Sequence, residues 1–348
     1  MQASIDRRSF LSAAALAAAS LGVAGTAFAA ESAAADKPAA SAPAAAPAAT
    51  GEPIELHRAY GAAHGEKCFT QAVVAVADGV VVAANIDDYQ LMDKETSVCV
   101  PNTDSDFGAG FADATKGLAS KSDNHEAYSA HMAEKAGATQ DWLVSIQAIE
   151  AYLTGKTVEE LTEAVQQGVD TIAGCTLADA AGYLALAVSA ATDETLATTG
   201  VYDGDPSTLE MGRANTGSHG HYGFANVVTL SQNGVMCAAS IDEFQFLDPT
   251  TEGVVAVPNS DAGFGEGYVA GKVLASKSQS NVAYSAAMAA KAGATQEWLV
   301  SMQAIEAGVA GVPVMNTVGL GVDTISGSTL ASTTSYAASC GIAAVKGA

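Results

Sequence analysis

The stretch AGATQDWLVSIQAIEA at residues 136–151 is repeated as AGATQEWLVSMQAIEA at residues 292–307. The two stretches differ only where Asp141 becomes Glu297 and where Ile146 becomes Met302. A near-identical segment that returns after so long an interval indicates duplication of a whole domain, not a short solenoid repeat.

The similarity continues on both sides of this stretch, in the same order along the chain. The offset between matching residues runs only from 153 (Asp170 to Asp323) to 157 (Val100 to Val257). We therefore predict two tandem domains at residues 53–192 and 212–348, joined by a polar linker at 193–211, with self-sufficient cores that unfold semi-independently. The other matching pairs are His64-Gly65 with His219-Gly220, IDDYQ 86–90 with IDEFQ 241–245, VPN 100–102 with 257–259, and LASKS 118–122 with 274–278.

Each repeat begins with a β-hairpin signal. In the first repeat, β-prone runs at residues 70–76 and 80–86 are joined by Ala77-Asp78-Gly79, and the second repeat has Asn233-Gly234 at the same place. Asp-Gly and Asn-Gly between apolar runs are the strongest short-range hairpin signals, because both residues tolerate a positive φ.

Helical patterns follow the hairpin. Trp142, Ile146, Ile149 and Leu153 recur at helical spacing and form one apolar stripe. Thr157-Val158-Glu159-Glu160 matches a capping box that opens the next helix, and a further helix is predicted from about Leu177 to Ala191. A hairpin followed by several helices, without alternation of strand and helix, predicts an α+β fold.

The composition is that of an acidic globular protein. The chain has 348 residues, of which 49% are hydrophobic and 15% charged, with a formal net charge of -23. Nucleic-acid binding and docking on anionic lipid both depend on clustered Lys and Arg, so this charge argues against both.

The N-terminus has the pattern of an export signal. Arg7-Arg8 with Phe10-Leu11 forms a twin-arginine motif, which an Ala-rich apolar run and the cleavage-type sequence Ala27-Phe28-Ala29 follow. We interpret residues 1–29 as a twin-arginine signal peptide and the Ala/Pro-rich residues 30–52 as a disordered tether. The apolar run is too short to anchor in a bilayer, so we expect no direct membrane insertion after cleavage. A weakly hydrophobic buried helix is the alternative.

The ends of the two repeats carry the segment most suited to chemistry. It reads DTIAGCT at residues 170–176 and DTISGST at residues 323–329, and the second copy resembles the D-x-x-S-G-A-T signature of the FMN-binding domain family. That family includes flavin subunits of sodium-pumping quinone reductases and two-domain extracellular electron-transfer lipoproteins. The AYGAAHG segment, the hairpin and the VPN segment also resemble the two-domain proteins.

The resemblance implies covalent FMN. In the family, a secreted flavin transferase esterifies the last Thr of the signature to the FMN phosphate. By position, the attachment residues are Thr176 and Thr329, the acidic residues Asp170 and Asp323, and the turn residues Gly174, Gly327 and Ser326. The sequence departs from the signature where Cys175 and Ser328 replace Ala and where Ala173 replaces Ser.

The residue types suit this chemistry on physical grounds. Gly174 and Gly327 allow a sharp turn with positive φ close to a bulky phosphate. We expect the Thr to lie at or near the N-cap of the following helix, where free N–H groups and the helix dipole favour an anion. The alternative is an N-capping Thr after a Gly turn and nothing more.

These features lead to an electron carrier as the first functional hypothesis. The chain is expected to be a non-enzymatic, extracytoplasmic relay with covalent FMN, which a membrane dehydrogenase or quinone-linked system supplies with electrons. A surface binding or adhesion protein on a degenerate FMN-binding scaffold is the alternative from another class. A flavin reductase that acts alone is the third hypothesis.

Further candidates have simpler interpretations. Tyr89, Phe244, Trp142 and Trp298 have rings that could stack on a flavin, but the helical stripe favours a core position for Trp142. Asp87, Asp93, Asp242 and Asp248 could form a carboxylate cluster for a cation, although a solvated strand end is the preferred interpretation. His64 and His219 recur without a second ligand at metal-binding spacing, so we predict no metal. The five cysteines are interpreted as small buried hydrophobes, with a Cys68–Cys99 bridge as an alternative.

Overall fold

A computed structural model describes residues 51–347 of the chain. The predicted signal peptide and all but the last two residues of the predicted tether lie outside these residues. The described part is 34% helical and 29% strand, and its sheets are antiparallel, which confirms the α+β class.

The strands form two antiparallel sheets, one in residues 51–202 (the first half) and one in residues 203–347 (the second half). The first sheet has the order β4-β3-β2-β1-β5 and the second the order β6-β7-β8-β9. The strands are β1 (Glu52–Gly61), β2 (Cys68–Ala77), β3 (Val80–Asp93), β4 (Lys116–Ser120), β5 (Thr198–Tyr202), β6 (Leu209–Thr216), β7 (Gly223–Gln232), β8 (Val235–Leu247) and β9 (Val273–Ser276).

Helices follow the sheet in each half. The first half has α1 (His125–Ala136), α2 (Trp142–Leu153), α3 (Val158–Gln166) and α4 (Ala180–Thr192), and the second half has α5 (Asn281–Ala292), α6 (Trp298–Val309) and α7 (Thr333–Gly347). Where the first half has α3, the second half has the 3-10 helix Val314–Gly319.

The hairpin predictions are confirmed. Asp78 and Gly79 have φ values of 48° and 74°, and Asn233 and Gly234 have 52° and 76°. Two consecutive positive-φ residues are what a type I′ turn requires, and this turn matches the twist of the strands it joins. The capping box of Thr157 is also present, with Glu160 as its reciprocal partner.

The two sheets lie face to face, and the helices cover their outer faces. In β2, Ala72 and Val74 pack with the helices, whereas Val73 and Ala75 pack against Val228 and other residues of the second sheet. Because side chains alternate across a strand, a strand covered on both faces has no side that is exposed to solvent. This explains why all ten residues of β2, and likewise of β7, are buried.

Part of the core is therefore shared between the two halves, which differs from the prediction of two separate cores. One shared cluster places Phe69 and Tyr89 of the first half against Phe224 and Phe244 of the second. The predicted linker also contributes to the fold, because β5 lies within it and pairs with β1 at the edge of the first sheet. The sequence does not predict the contact between the two sheets, because it shows which strand faces are apolar but not which surface covers them.

Loops form equivalent hydrogen bonds in both directions across the interface between the two halves. The Nδ2 of Asn102 donates to the carbonyl oxygens of Gly220 (2.9 Å) and Gly223 (2.6 Å) in the second half. Asn259 donates in the same way to Gly65 (2.8 Å) and Cys68 (2.7 Å) in the first half. The repeated VPN segment thus fastens each half to the other.

Candidate functional site

The two signature segments form exposed turns that lead into α4 and α7. Thr176 and Thr329 are both exposed, and so are Gly174 and Gly327 two residues before them. Both Thr residues are therefore accessible to solvent in the folded protein.

The repeated stretch at residues 136–151 holds the first turn. Nε2 of Gln140 donates to the carbonyl oxygen of Gly174 at 2.6 Å and to Oγ of Ser145 at 2.9 Å. The backbone N–H of Thr176 donates to the same Ser145 Oγ at 3.2 Å, and the Thr176 and Ser145 hydroxyl oxygens are 3.3 Å apart. A glutamine and a serine thus fix the backbone on both sides of Cys175.

The second turn is held by the corresponding residues. Gln296 donates to Gly327 O at 2.6 Å and to Ser301 Oγ at 2.7 Å. Ser301 Oγ lies 3.4 Å from both the N and the Oγ1 of Thr329. Gln140, Ser145, Gln296 and Ser301 were missed as site residues, although all four lie in the stretch that the repeats share most closely.

Glycine is required in these turns for two reasons. Gly174 and Gly327 have φ values of +87° and +94°, which L-residues with a side chain rarely adopt. A Cβ atom would also lie 3.3 Å from Cβ of Ala148 at the first turn and 3.2 Å from Cβ of Ala304 at the second. The small Ala on α2 and α6 allows the turn to pack directly on the helix.

The Thr residues lie near the start of the following helices, as predicted, but they are not the N-cap residues. Helix α4 begins at Ala180 with Asp179 as its N-cap, and α7 begins at Thr333. The N–H of Ala180 donates to Leu177 O and that of Thr333 to Leu330 O, so a separate turn lies between each Thr and its helix. A phosphate on either Thr would therefore lie beside this turn, ahead of the first helical residue.

The acidic residues of the signature form no hydrogen bond with Thr176 or Thr329. Asp170 and Asp323 are exposed at the start of each segment, and Ser326 is exposed as well. The Oδ1 of Asp170 accepts a hydrogen bond from the hydroxyl of Thr171 at 3.0 Å. These carboxylates are accessible to a partner protein, but they do not build the turn.

A histidine anchors the start of α4. Nδ1 of His64 pairs with the carboxylate of Asp179, and Nε2 of His64 lies 3.2 Å from the hydroxyl of Tyr128. In the second half, Ser332 takes the place of Asp179. The surroundings of the two turns therefore differ in charge.

A buried lysine–carboxylate pair lies within each half. Lys121 Nζ is 2.9 Å from Asp88 Oδ2, and Lys277 Nζ is 2.9 Å from Glu243 Oε1, with all four side chains at most 1% exposed. Burial acts to lower the pKa of Lys121, but attraction to Asp88 outweighs it and the pKa lies above its usual value. Both lysines remain charged, and each lies over a Tyr ring.

The aromatic candidates are core residues. Trp142 and Trp298 are 3% and 1% exposed in the helix-facing cores, as the helical stripe predicted for Trp142. Tyr89 and Phe244 are fully buried between the sheets. None of the four rings is accessible for stacking on a cofactor.

The carboxylate candidates are distributed differently from the prediction. Asp93 is partly exposed and Asp248 exposed, but Asp87 and Asp242 are fully buried, so a solvated strand end is wrong for these two. Asp87 accepts from Ser120 and Ser122 and pairs with Arg213 at 2.8 Å. Within residues 51–347, no group of three or more His, Cys, Asp or Glu side chains is arranged to hold a metal ion. All five cysteines are free, so no Cys68–Cys99 bridge is present.

Comparisons with models of known protein families, with curated proteins and with solved structures found no match to the chain. None of the helices within residues 51–347 combines the length and the hydrophobicity of a membrane-spanning segment.

Proposed function

We propose that the two halves are tandem copies of an FMN-binding-like domain, and that the protein is an extracytoplasmic electron carrier with FMN attached to Thr329 and Thr176. The observation that carries the proposal is the pair of matching turns, each of which presents an exposed Thr next to a helix Ser held by a Gln. The family resemblance of the turn sequences supplies the identity of the cofactor.

The residues of the turn fit a phosphoester. Attachment joins the Thr oxygen to phosphorus and releases the hydroxyl proton, while the leaving group departs from the activated flavin nucleotide that the transferase holds. The ester oxygen carries no hydrogen, so the hydroxyl of Ser145 or Ser301 must then be the donor of the pair. Each Ser Oγ already accepts hydrogen bonds from the Gln side chain and from the Thr backbone N–H, so the Ser hydroxyl is also the donor to the Thr Oγ1 before attachment and helps to orient that oxygen.

Exposure of both Thr residues also agrees with the proposed route of export. The twin-arginine pathway carries folded proteins, whereas flavin transfer in the family takes place outside the cytoplasm. Thr176 and Thr329 are exposed in the folded chain, so a transferase has access after export. FMN, once bound, supplies the redox chemistry, and the protein orients it and sets its electrostatic surroundings.

The electron donor is proposed to be a membrane dehydrogenase or a quinone-linked system. A net charge of -23 favours a partner that presents a basic face. A surface binding protein on a degenerate scaffold remains the alternative, and it needs neither the exposed Thr nor the Ser.

The test compares single substitutions in protein co-expressed with a flavin transferase. Thr329→Val and Thr176→Val should each remove about half of the flavin fluorescence that survives a denaturing gel, because Val has the shape of Thr without the hydroxyl. Ser301→Ala should lower attachment at Thr329 while Thr176 is still modified. Equal fluorescence of the double Thr variant and the parent would contradict the proposal in favour of the scaffold alternative.

A further inference from the structure

A pocket of about 510 Å³ opens in the second half, between the end of β8, the loop after it and helix α5. Aromatic rings of Tyr222, Phe246 and Tyr284 line it. The exposed apolar residues Val255 and Val282 (42% and 74% exposed) flank the lining residues Val254 and Ala283 in the chain. This volume lies within the range of roughly 300–1,000 Å³ of small-molecule sites.

The pocket is separate from the turn at Thr329. Asn281 and Ser285 of α5 accept hydrogen bonds from the first N–H groups of α6, the helix that supports the turn. Ala283, Ala287 and Lys291 line the pocket, and at about 100° per residue they lie on the opposite side of α5. Helix α5 thus stands between the pocket and the proposed flavin site.

The walls of the pocket are particular to the second half. Where the second half has Tyr222, Phe246 and Ala287, the first half has Lys67, Leu91 and His131. These exchanges replace two aromatic side chains with Lys and Leu, and Ala287 with the larger His131. The aromatic lining of the pocket is therefore a feature of the second half and not of the repeat.

The loop after β8 also differs between the halves. From Asp248 to Val257 the chain is two residues longer than from Asp93 to Val100. Gly253 in this loop has a φ of +85°, and a Cβ there would lie 3.4 Å from the N of Ala283, so the loop packs closely on α5. The longer loop supplies Thr251 and Val254 to the pocket wall.

The charges at the pocket favour an anion. Lys272 and Lys291 both line it, in a chain with only 15 basic residues against 38 acidic ones. Asp248 is the single carboxylate among the lining residues and interacts electrostatically with Lys272, so the lining has one positive charge in excess. Aromatic walls favour a flat apolar body, since rings pack well on rings, and two ammonium groups favour one carboxylate at its edge.

We propose that this pocket binds a planar aromatic carboxylate of about two fused rings. The rings lie among Tyr222, Phe246 and Tyr284, and the carboxylate faces Lys272 and Lys291. Gln245 and Thr251 offer hydrogen bonds to a polar substituent. Neither the flavin nor the turn at Thr329 enters this proposal.

The experiment is calorimetric titration of the full-length protein with 2-naphthoate. Saturable binding of one ligand per chain is expected, and affinity should fall with added salt because a charge pair contributes to it. Lys272→Met should weaken binding at least tenfold. Lys116→Met, at the aligned position of the first half, is the matched control and should leave binding unchanged. The neutral analogue 2-naphthalenemethanol should bind at least tenfold more weakly than the acid.

A filling variant tests the location. Ala287→Trp should abolish binding, because the larger side chain fills the pocket. Tyr222→Ala removes an exposed aromatic wall and should weaken binding. An unchanged near-ultraviolet circular dichroism spectrum shows that the Tyr222→Ala variant is folded. The proposal is overturned if 2-naphthoate does not saturate the protein at millimolar concentration. It is equally overturned if Lys116→Met weakens binding as much as Lys272→Met, or if Tyr222→Ala in the folded protein has no effect.

Discussion

Arg213 of β6 and Asp87 of β3 form an ion pair between the two halves, with 2.8 Å between Nη1 and Oδ2 and side chains that are 9% and 0% exposed. Burial raises the pKa of Asp87, and the Arg213 guanidinium opposes this rise. The second Nη of Arg213 binds Asp123 at 3.0 Å. The interface between the halves therefore contains buried charged side chains as well as aromatic rings.

Loss of this arginine should destabilise the protein strongly. Arg213→Met leaves Asp87 buried without its cation, and breaking a buried pair in this way costs about 3–5 kcal/mol. The free energy of unfolding from urea titration is the measurement, with Lys67→Met on the surface as the control. A loss below about 1 kcal/mol would show that the interface is open to water in solution.

The two halves should unfold in a single transition, since two of the hydrophobic clusters contain residues of both. The chain has two tryptophans, Trp142 in the first half and Trp298 in the second. Trp142→Phe and Trp298→Phe therefore yield proteins whose fluorescence reports one half each. In each variant, the urea midpoint from tryptophan fluorescence, which reports one half, should equal the midpoint from circular dichroism, which reports both halves. Residues 213–348 alone should not fold, and two separate midpoints would restore the expectation of independent domains.

Stability should fall as the pH rises towards 8. Burial raises the pKa of Glu150 and of Glu306 from 4.5 to about 8, although each carboxylate accepts a backbone hydrogen bond, from Ile86 N and Ile241 N respectively. The folded state thus binds protons that the unfolded state has released between these pH values. Each group lowers the free energy of unfolding by up to about 1.4 kcal/mol per pH unit in this window, and the effect levels off above about pH 8.

Glutamine substitutions test this assignment. Glu150→Gln and Glu306→Gln keep a carbonyl oxygen for the backbone N–H and do not titrate, so each should flatten the dependence of stability on pH. Glu163→Gln, on helix α3, is the control. An unchanged slope in the double variant would mean that other groups titrate in this range.

A methyl group at the turn glycine should disturb the turn more than at an open glycine. Gly327→Ala adds a Cβ 3.2 Å from Ala304 and forces a residue with a side chain to a φ of +94°. A loss of about 1–3 kcal/mol in unfolding free energy is expected, with less flavin at Thr329. Gly137 has a φ of +67°, and a Cβ there would have no atom within 4 Å. Gly137→Ala therefore measures the cost of the backbone conformation alone. Similar losses in the two variants would show that the turn does not pack tightly on α6.

The local pattern of the sequence predicted much of the fold. The Asp78-Gly79 hairpin, the stripe on α2 and the capping box at Thr157 are all local signals, and each is present. The meeting of the sheets is non-local, because Phe69 and Phe244 are far apart in the chain and no periodicity connects them. Helix α4 begins at Ala180, three residues later than the sequence predicts, because the apolar Leu177 continues the helical pattern into a turn.

The candidate site was predicted in part. The pattern of Asp, Gly and Thr identified the two turns, and the structure shows both Thr residues exposed. The Gln and Ser that hold the turns lie about 30 residues earlier, and only the packing of α2 and α6 brings them there. The repeat had already marked them, because Gln140 and Ser145 are identical in both copies.

Intact mass of the exported protein tests the central proposal most directly. Protein matured with an active flavin transferase should carry up to two additions, each the mass of FMN less one water. Thr329→Val and Thr176→Val should each remove one addition, and the double variant should have the unmodified mass with an unchanged circular dichroism spectrum. If parent and double variant differ only by the two substitutions, while a control substrate is modified by the same transferase, covalent FMN at these threonines is contradicted.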